Sequence, residues 1–506
     1  MQGPLKITLI SPPMIWDENS KLFLGRRGTP PMSLAYLAGA LEKIGTDYQI
    51  VDAISFEQVS TICDGEFQVM GLSLDDIVEK IDDDSSIIGI SSMFTSEWVV
   101  VSELARKIKE RYPDKTIIVG GEHPTVDYER ILKFEKSIDV CFLGESDDSL
   151  IQFIQAYSTF EQYKVEGIAF RDEQGNIHSS RSKRITDIDE LIPSWKKIDL
   201  SYYHNNQLSS SMASVRSMPI LATRGCPYKC TFCTNETVWG IRYVMRSPYK
   251  IIEEMKFYQE HYGVSHFDFL DMAMNINKAW FSELLDLFIE QMPGITWQME
   301  AGSRSEILDW EILDKMYRSG NRVLDYAPET GSEELARKIK KRISFPKFFQ
   351  SVEHAVSLGF FVKANLIIGF PHETWKDVFK TVLMAFKLGL MGARGVVVFL
   401  YAPMIGTEIS KERKLYKEDQ PDEYFRRVKE LAGQTCVKLF SIKKFFINPK
   451  REFLAILANV VMALSYLLSW LHTPLNAVRF FKNVFHKKPE GPFEMAFFLL
   501  IKRFRG

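Results

Sequence analysis

Three of the six cysteines fall within eight residues, and they carry the most specific chemistry in the chain. Cys226, Cys230 and Cys233 stand in RGCPYKCTFCTN with C-x3-C-x2-C spacing, directly after the apolar segment Ile220–Thr223. A cubane [4Fe-4S] cluster normally takes four thiolates. Three thiolates with no fourth nearby leave one iron open, and an open iron can chelate the amino and carboxylate groups of a small molecule. The alternative is zinc. A closed structural zinc site takes four protein ligands, and no second CxxC or HxxxH completes this one. Cys63, Cys141 and Cys436 are scattered, which is not the pattern of a secreted disulfide framework.

These cysteines need a scaffold that brings other polar groups to them. From residue 219 on, strand-like runs alternate with helical segments: Ile220–Thr223, Phe267–Leu270, Thr296–Glu300, Arg322–Tyr326, Lys363–Ile368 and Gly395–Leu400. Six βα units are too few for a complete eight-unit barrel and imply a partial one. Asp271, Glu300 and Arg304 follow successive strands, at the edge where barrel active sites form. Each alone reads equally well as a strand-end or capping residue. The first 150 residues also alternate. Strands at Lys6–Ile10, Tyr48–Val51, Ile87–Ser91, Thr116–Val119 and Ile138–Leu143 accompany helices at Met32–Ile44 and Val99–Arg111. That order implies right-handed βαβ units in a parallel, doubly wound sheet. Its ligand edge would be the loops Pro12–Pro13, Ser91–Thr95, Gly120–Thr125 and Gly144–Ser146. The expected divisions are an α/β, Rossmann-like domain at 1–155, a linker at 156–214 with a hairpin at Gly167–His178, a partial (β/α)6 barrel at 215–432, and a short helical, apolar and basic tail at 433–506.

The cysteine motif and its surroundings resemble the radical-SAM superfamily. Phe232 holds the aromatic position before the third cysteine, which in the family packs by the adenine of S-adenosylmethionine. YAPETGSEELARKIKK is similar to the fourth-strand segment, and implies that Glu329 contacts the ribose or methionyl part. NLIIGFPHET at Asn365–Thr374 is similar to the fifth-strand motif, with Ile367 bordering the adenine; His372 replaces a usual glycine. YAPMIGT at Tyr401–Thr407 resembles the sixth-strand end. The resemblance implies that Asp271 receives the SAM amino group and that Glu300 and Arg304 are polar SAM contacts. Related families often carry a second aspartate where this chain has Met272. The first domain resembles the cobalamin-binding domain that precedes many such cores, through SPP after the first strand, PPMSLAYLAGALEKIG, ISS, GGEHPT and LGES. That implies cobalamin contacts from Ser91, Ser92 and Thr95, close backbone approach at Gly120, Gly121 and Gly144, and His123 beside the corrin edge. The Asp-x-His-x-x-Gly motif that supplies an axial histidine in some families is absent, and Gly-Glu-Ser-Asp replaces the usual Gly-Glu-Gly-Glu from Gly144 on. The alternative is a degenerate domain that binds nothing and only shapes the site.

Together these resemblances imply a cobalamin-dependent radical-SAM enzyme. It would abstract hydrogen through a 5′-deoxyadenosyl radical and methylate an unactivated carbon, with a reductant such as flavodoxin or ferredoxin as partner. The alternatives are a radical cyclase or oxidoreductase similar to the oxygen-independent magnesium-protoporphyrin ester cyclase, and a non-enzymatic cobalamin- and metal-binding module. The net charge of −2 offers no argument for a nucleic-acid partner. Its distribution is uneven. Residues 438–506 carry 12 Lys/Arg against 3 Asp/Glu, a net of +9, which leaves −11 on the rest. Within that tail Phe453–Leu471 is uncharged, and Lys450, Arg451, Arg479, Lys482, Lys487 and Lys488 flank it. Positive charge on both sides argues against a simple crossing and for a helix lying in a membrane interface. The alternative is a helix packed on the barrel. A membrane-lying tail would imply an apolar substrate: a lipid, isoprenoid or tetrapyrrole. The N-terminus lacks the apolar run of a signal peptide, so the expected place is the cytoplasm, peripheral to the inner face of the cell membrane.

Overall fold

The computed structural model describes residues 5–16, 29–56, 59–62, 67–159, 161–205, 216–413 and 449–472, with 477, 478, 481 and 482. Cys63, Cys436, Arg479, Lys487, Lys488 and the apolar run Met495–Ile501 lie outside them.

The first sheet is built on unbroken apolar runs. β1 (Lys6–Ser11) and β3 (Ile87–Ser91) are buried along almost their whole length, as parallel strands covered by helices on both faces must be. With β2 (Asp47–Asp52), β4 (Thr116–Gly120) and β5 (Val140–Phe142) they form a parallel set in the order 2-1-3-4-5. Around it lie α1 (Met32–Lys43), α2 (Trp98–Arg111), α3 (Glu122–Phe134) and α4 (Asp147–Tyr157). The strand order reverses between β1 and β3, so the ligand crevice of a doubly wound sheet opens beside the loops after those strands. Gly121, between β4 and α3, has φ of 124° and lies so close to the Ser92 carbonyl that a Cβ would overlap it. Glycine is therefore required where the two loops cross.

Two features differ from expectation. The hairpin, β6 (Ile168–Arg171) and β7 (Ile177–Ser179), is not part of a linker: β6 pairs antiparallel with β5 and extends the first sheet to seven strands. A small antiparallel sheet of Met14–Trp16, Val59–Ile62 and Phe67–Met70 also flanks this domain. Both rest on pairing between distant segments, which local patterning does not reveal.

The partial barrel consists of β8 (Ser217–Ile220), β9 (His266–Phe269), β10 (Thr296–Met299), β11 (Val323–Glu329), β12 (Phe361–Ile368) and β13 (Gly395–Leu400). They form two three-stranded parallel sheets, β8-β9-β10 and β11-β12-β13. Between the two, isolated bridges pair Trp297 with Asn321 and Ser303 with Tyr326. Outer helices are α5 (Pro248–Tyr262), α6 (Lys278–Gln291), α7 (Trp310–Arg318), α8 (Phe345–Leu358) and α9 (Trp375–Leu390). Thr374 and Asp377 start α9 with a reciprocal capping box.

The tail contributes one more helix to this layer, α10 (Pro449–His472). Leu454, Ala458 and Val461 enter the barrel's apolar core. α10 runs parallel to α9, since Trp375 meets Phe453 near their N-termini (5.8 Å between ring centroids) and Gly389 meets Ser465 near their C-termini. A Cβ at Gly389 would stand 2.5 Å from the Ser465 carbonyl oxygen. Glycine there sets the closeness of the helix pair. Gly389→Val is expected to push α10 outward and cost about 1–3 kcal/mol, read as a lower thermal midpoint with the protein still folded at room temperature. An unchanged midpoint would contradict this packing.

Candidate active site

The cysteine loop leaves β8 and is pinned from several sides. Thr231 N–H donates to the Ile339 carbonyl (3.1 Å), and Ile409 N–H donates to the Thr231 carbonyl (3.1 Å). The Asn235 amide donates to the Cys226 carbonyl (2.8 Å), while Asn235 N–H approaches the Cys233 sulfur at 3.5 Å. Arg304 lies 3.9 Å from the ring centre of Tyr228, between the first two cysteines. Burial pushes the Cys233 thiol up to about 11, against the Asn235 N–H, with Cys230, Glu122 and Cys226 adding to the rise. Burial also raises Cys230, opposed by Lys341 and Arg304. Cys230 and Cys233 thus feel the charge of the neighbouring sulfurs, and protein groups alone do not hold these two as thiolates. A bound metal cluster would, because a coordinating thiol is deprotonated outright. Among the described residues no three His, Cys, Asp or Glu close on a single ion. Three neighbouring thiols without a fourth protein ligand suit a cluster with one open iron, whereas a closed structural zinc site takes four.

The structure brings most of the expected SAM residues to this loop. Phe232 and Ile367 pack into one apolar cluster with Leu335, Ile339, Phe370 and Tyr401. The Phe232 and Phe370 rings are 5.6 Å apart, and Phe370 and Tyr401 5.0 Å. Glu329 ends β11 after a register irregularity, with φ of 67°. A non-glycine residue held there is strained. Its carboxylate pairs with Lys341 at 2.9 Å, both side chains nearly buried. Lys341 was not singled out from the sequence; it lies twelve residues on, past the short helix Glu333–Lys338. Glu300 accepts from the Gln298 amide. Burial, then the Asp268 charge, holds its carboxyl up at about 8.

Two expectations meet different geometry. Asp271 is buried, and its carboxylate accepts from the N–H groups of Ala222 and Thr223 and from the Thr223 hydroxyl (2.6 Å). It anchors the start of the cysteine loop instead of presenting a free carboxylate. His123 is wholly buried against Trp98, with ring centroids 5.0 Å apart. Burial, aided by Arg130, lowers it to about 3, so it is a neutral core imidazole.

At the other edge, Gly120 ends β4 and Gly121 follows it, and Ser91, Ser92 and Thr95 end or follow β3. Gly144 N–H donates to the Thr125 hydroxyl (2.9 Å), which ties the loop after β5 to the first turn of α3. The Ser92 hydroxyl, Trp98 Nε1 and both His123 ring nitrogens are buried without a partner among the described residues. Beside them Met93 and Phe94 are exposed. Glycines that allow close approach and bare apolar side chains at one sheet edge fit a large ligand such as cobalamin.

The two edges touch. Glu122, first residue of α3, accepts from the hydroxyl of Thr234, the neighbour of Cys233. Arg224, two residues before Cys226, is buried and bonds Asp147 (2.8 Å) and Glu145 (3.2 Å) of the first domain. Gly406 abuts Val126, and Ile405 is buried within the first domain's core. Sequence reading missed these contacts, because a charge paired across 77 positions looks like any other surface residue.

Residues 220–385 match the Radical SAM superfamily, and residues 27–154 match the B12 binding domain. The chain is 25% identical over 422 residues to the cytidylyl-2-hydroxyethylphosphonate methyltransferase of Streptomyces wedmorensis, over 76% of this chain and 78% of that protein. It is 26% identical over 364 residues to the anaerobic magnesium-protoporphyrin IX monomethyl ester cyclase of Cereibacter sphaeroides, over 70% and 56%. Among solved structures, the radical S-adenosylmethionine methyltransferase TsrM from Kitasatospora setae shares the fold, with a TM-score of 0.63 at 15% identity over 81% of this chain and 76% of that one.

Two outcomes test the site. Replacing Cys226, Cys230 and Cys233 by Ala together is expected to abolish bound iron and sulfide after anaerobic reconstitution; a retained cluster would refute the ligand assignment. The Glu300 carboxyl, raised from 4.5 to about 8, binds its proton more tightly in the folded than in the unfolded chain. Its contribution is fully present below pH 4.5 and is lost as pH rises through about 8. Glu300→Gln, which mimics the protonated form, is therefore expected to match the wild type at or below pH 4.5, to pull ahead of it in denaturation midpoint as pH rises, and to exceed it most above pH 8. Equal midpoints at both pH values would count against the buried Glu300–Asp268 pair.

Proposed function

A chain that joins a B12-binding domain to a radical SAM domain is a radical SAM enzyme, and we propose that this one is a cobalamin-dependent methyltransferase. Its substrate would be an apolar molecule with an unactivated carbon: a lipid, isoprenoid or tetrapyrrole drawn from the inner face of the cell membrane. The observation that carries the reading is the contact between the two ligand edges. Glu122 and Thr234 touch where the glycine loop of the first domain meets the third cysteine, so both cofactors would serve one cavity. Bound there, the cluster and S-adenosylmethionine supply a hydrogen-abstracting radical, and cobalamin supplies the methyl group.

The chain's own residues bind, orient and exclude water. Cys226, Cys230 and Cys233 would hold the cluster. Phe232, Ile367, Phe370 and Tyr401 offer an apolar bed for the adenine, and Glu329, kept in place by Lys341, a carboxylate for the ribose or methionyl part. Arg304, stacked on Tyr228, steadies the cysteine loop. Ile367 and Phe399 are register partners on adjacent strands, and Phe399 is exposed. They give the cavity an apolar wall, which supports an apolar substrate. The enzyme needs an external reductant, and thiols kept free suit the cytoplasm.

The cyclase among the relatives favours a second reading, ring formation without methyl transfer. Comparing the lipids and pigments of a deletion strain with those of its parent would identify the substrate. Anaerobic turnover of that substrate is then expected to add one CH2 to its mass. A product that loses hydrogen and gains no carbon would overturn the methyltransferase reading in favour of the cyclase.

A further inference from the structure

The side chains that α9 and α10 turn outward have the wrong polarity for water. On α9, Trp375, Phe379 and Leu383 recur every four residues and Leu390 follows two turns on, all exposed. On α10, Phe453, Ile456, Val460, Leu464, Leu467 and Leu471 recur every three or four residues, and Leu471 is 74% exposed. The side of α10 that faces the barrel is the more polar one. Glu452, Ser465 and Ser469 are buried there, and the Ser465 hydroxyl donates back to the Val461 carbonyl (2.7 Å). A surface helix of a soluble protein shows the reverse pattern.

Because α9 and α10 run parallel and in contact, their stripes form one continuous apolar strip. A depression of about 660 Å³ opens in it, lined by Phe386, Leu464, Leu467, Trp470 and Leu471 among others. Cations stand at both ends: Lys376, Lys450 and Arg451 at one, Lys387 and Lys482 at the other, with no charge from Phe453 to Leu471. Residues 438–506 carry a net charge of +9. α10 is long and apolar enough to cross a membrane, but its inner face is committed to the barrel core through Leu454, Ala458 and Val461. A helix bound to protein along one side and cationic at both ends lies flat on a leaflet.

We propose that the paired outward faces of α9 and α10 are a docking surface for the anionic leaflet of a bilayer. This deepens the reading of an apolar, membrane-derived substrate and rests on it. The surface also adjoins the site. A Cβ at Gly369, in the loop that carries Phe370, would stand 3.5 Å from the Leu454 side chain, and α10 packs on the outer side of β13, whose Phe399 lies on the opposite face from the buried Val396 and Val398. An apolar molecule leaving the leaflet would meet the barrel mouth without crossing water.

The test uses the full-length, cluster-reconstituted protein and flotation with vesicles. The wild type is expected to float with phosphatidylcholine–phosphatidylglycerol vesicles and less with phosphatidylcholine alone. Phe379→Glu, Leu464→Glu and Leu467→Glu together should weaken the bound fraction at least about a hundredfold, with iron content and 5′-deoxyadenosine formation unchanged. Lys376→Glu with Lys450→Glu should weaken binding to the anionic vesicles by about tenfold or more. The proposal is overturned if the wild type does not float, or if the apolar triple variant floats equally well. It is equally overturned if the wild type is a dimer in gel filtration that the triple variant breaks, because a second copy then covers the strip. Flotation is read without turnover, so absent 5′-deoxyadenosine formation would count against the enzyme reading alone.

Discussion

Arg224 is a buried cation shared by two domains, and much of the architecture depends on keeping it paired. Taking a guanidinium out of water costs several kcal/mol, recovered only when its partners are well placed. Asp147 at the start of α4 and Glu145 in the loop before it supply those partners, while Tyr36 on α1 lies 5.0 Å from the guanidinium carbon. Glu145 is in turn held by Arg184 and by the Ile185 N–H (3.0 Å). The pairing leaves little freedom in how the first sheet sits over the barrel. Removing one partner of such a pair typically costs about 3–5 kcal/mol, so docking of the domains and placement of the cysteine loop are one energetic event. Asp271 completes the arrangement from below by binding the backbone at Ala222 and Thr223.

The same economy governs the carboxylates. Each is given a different environment and hence a different task. Asp271 accepts from three donors, the Ala222 and Thr223 N–H groups and the Thr223 hydroxyl, and acts as an anchor. Glu300 shares a buried space with Asp268 and tends to keep its proton. Glu329 is held by Lys341 in a strained backbone conformation at a strand end. Strain of this kind persists only where the surroundings over-determine it, and here the surroundings are the cysteine loop, the lysine and the β11–β12 register.

Much of this was legible in the sequence. Strand and helix alternation gave both α/β units, because parallel strands with two buried faces cannot hide their apolar runs: KITLIS and FVKANLII are observed as β1 and β12. The cysteine triad was marked by residue type and spacing, Phe232, Ile367 and Glu329 by the resemblance of their segments to radical-SAM motifs, and the fold gathers them. What stayed hidden depends on distance. The hairpin joined the first sheet because β6 found an open edge at β5, which no local pattern encodes. Lys341 and Glu122 carry ordinary surface residue types. The packing of α10 was obscured for a further reason: its protein-facing side uses Ala455, Ala458, Ser465 and Ser469, small residues that read as weakness in an apolar helix and serve in fact for close approach.

The division of the barrel into two ladders has a mechanical consequence. Within β8-β9-β10 and within β11-β12-β13 every step is a regular parallel register, apart from the irregularity at Tyr326–Glu329. Between the halves, among the described residues, backbone continuity comes down to the two bridges at Asn321 and Ser303. Shearing one half against the other disrupts two bridges, whereas distorting either half disrupts a whole ladder. The step between β10 and β11 is therefore the lightly paired one within the run of strands. Glu300, which follows β10, and Glu329, which ends β11, belong to different ladders, so the spacing between them is set by side-chain packing in the shared core more than by backbone pairing.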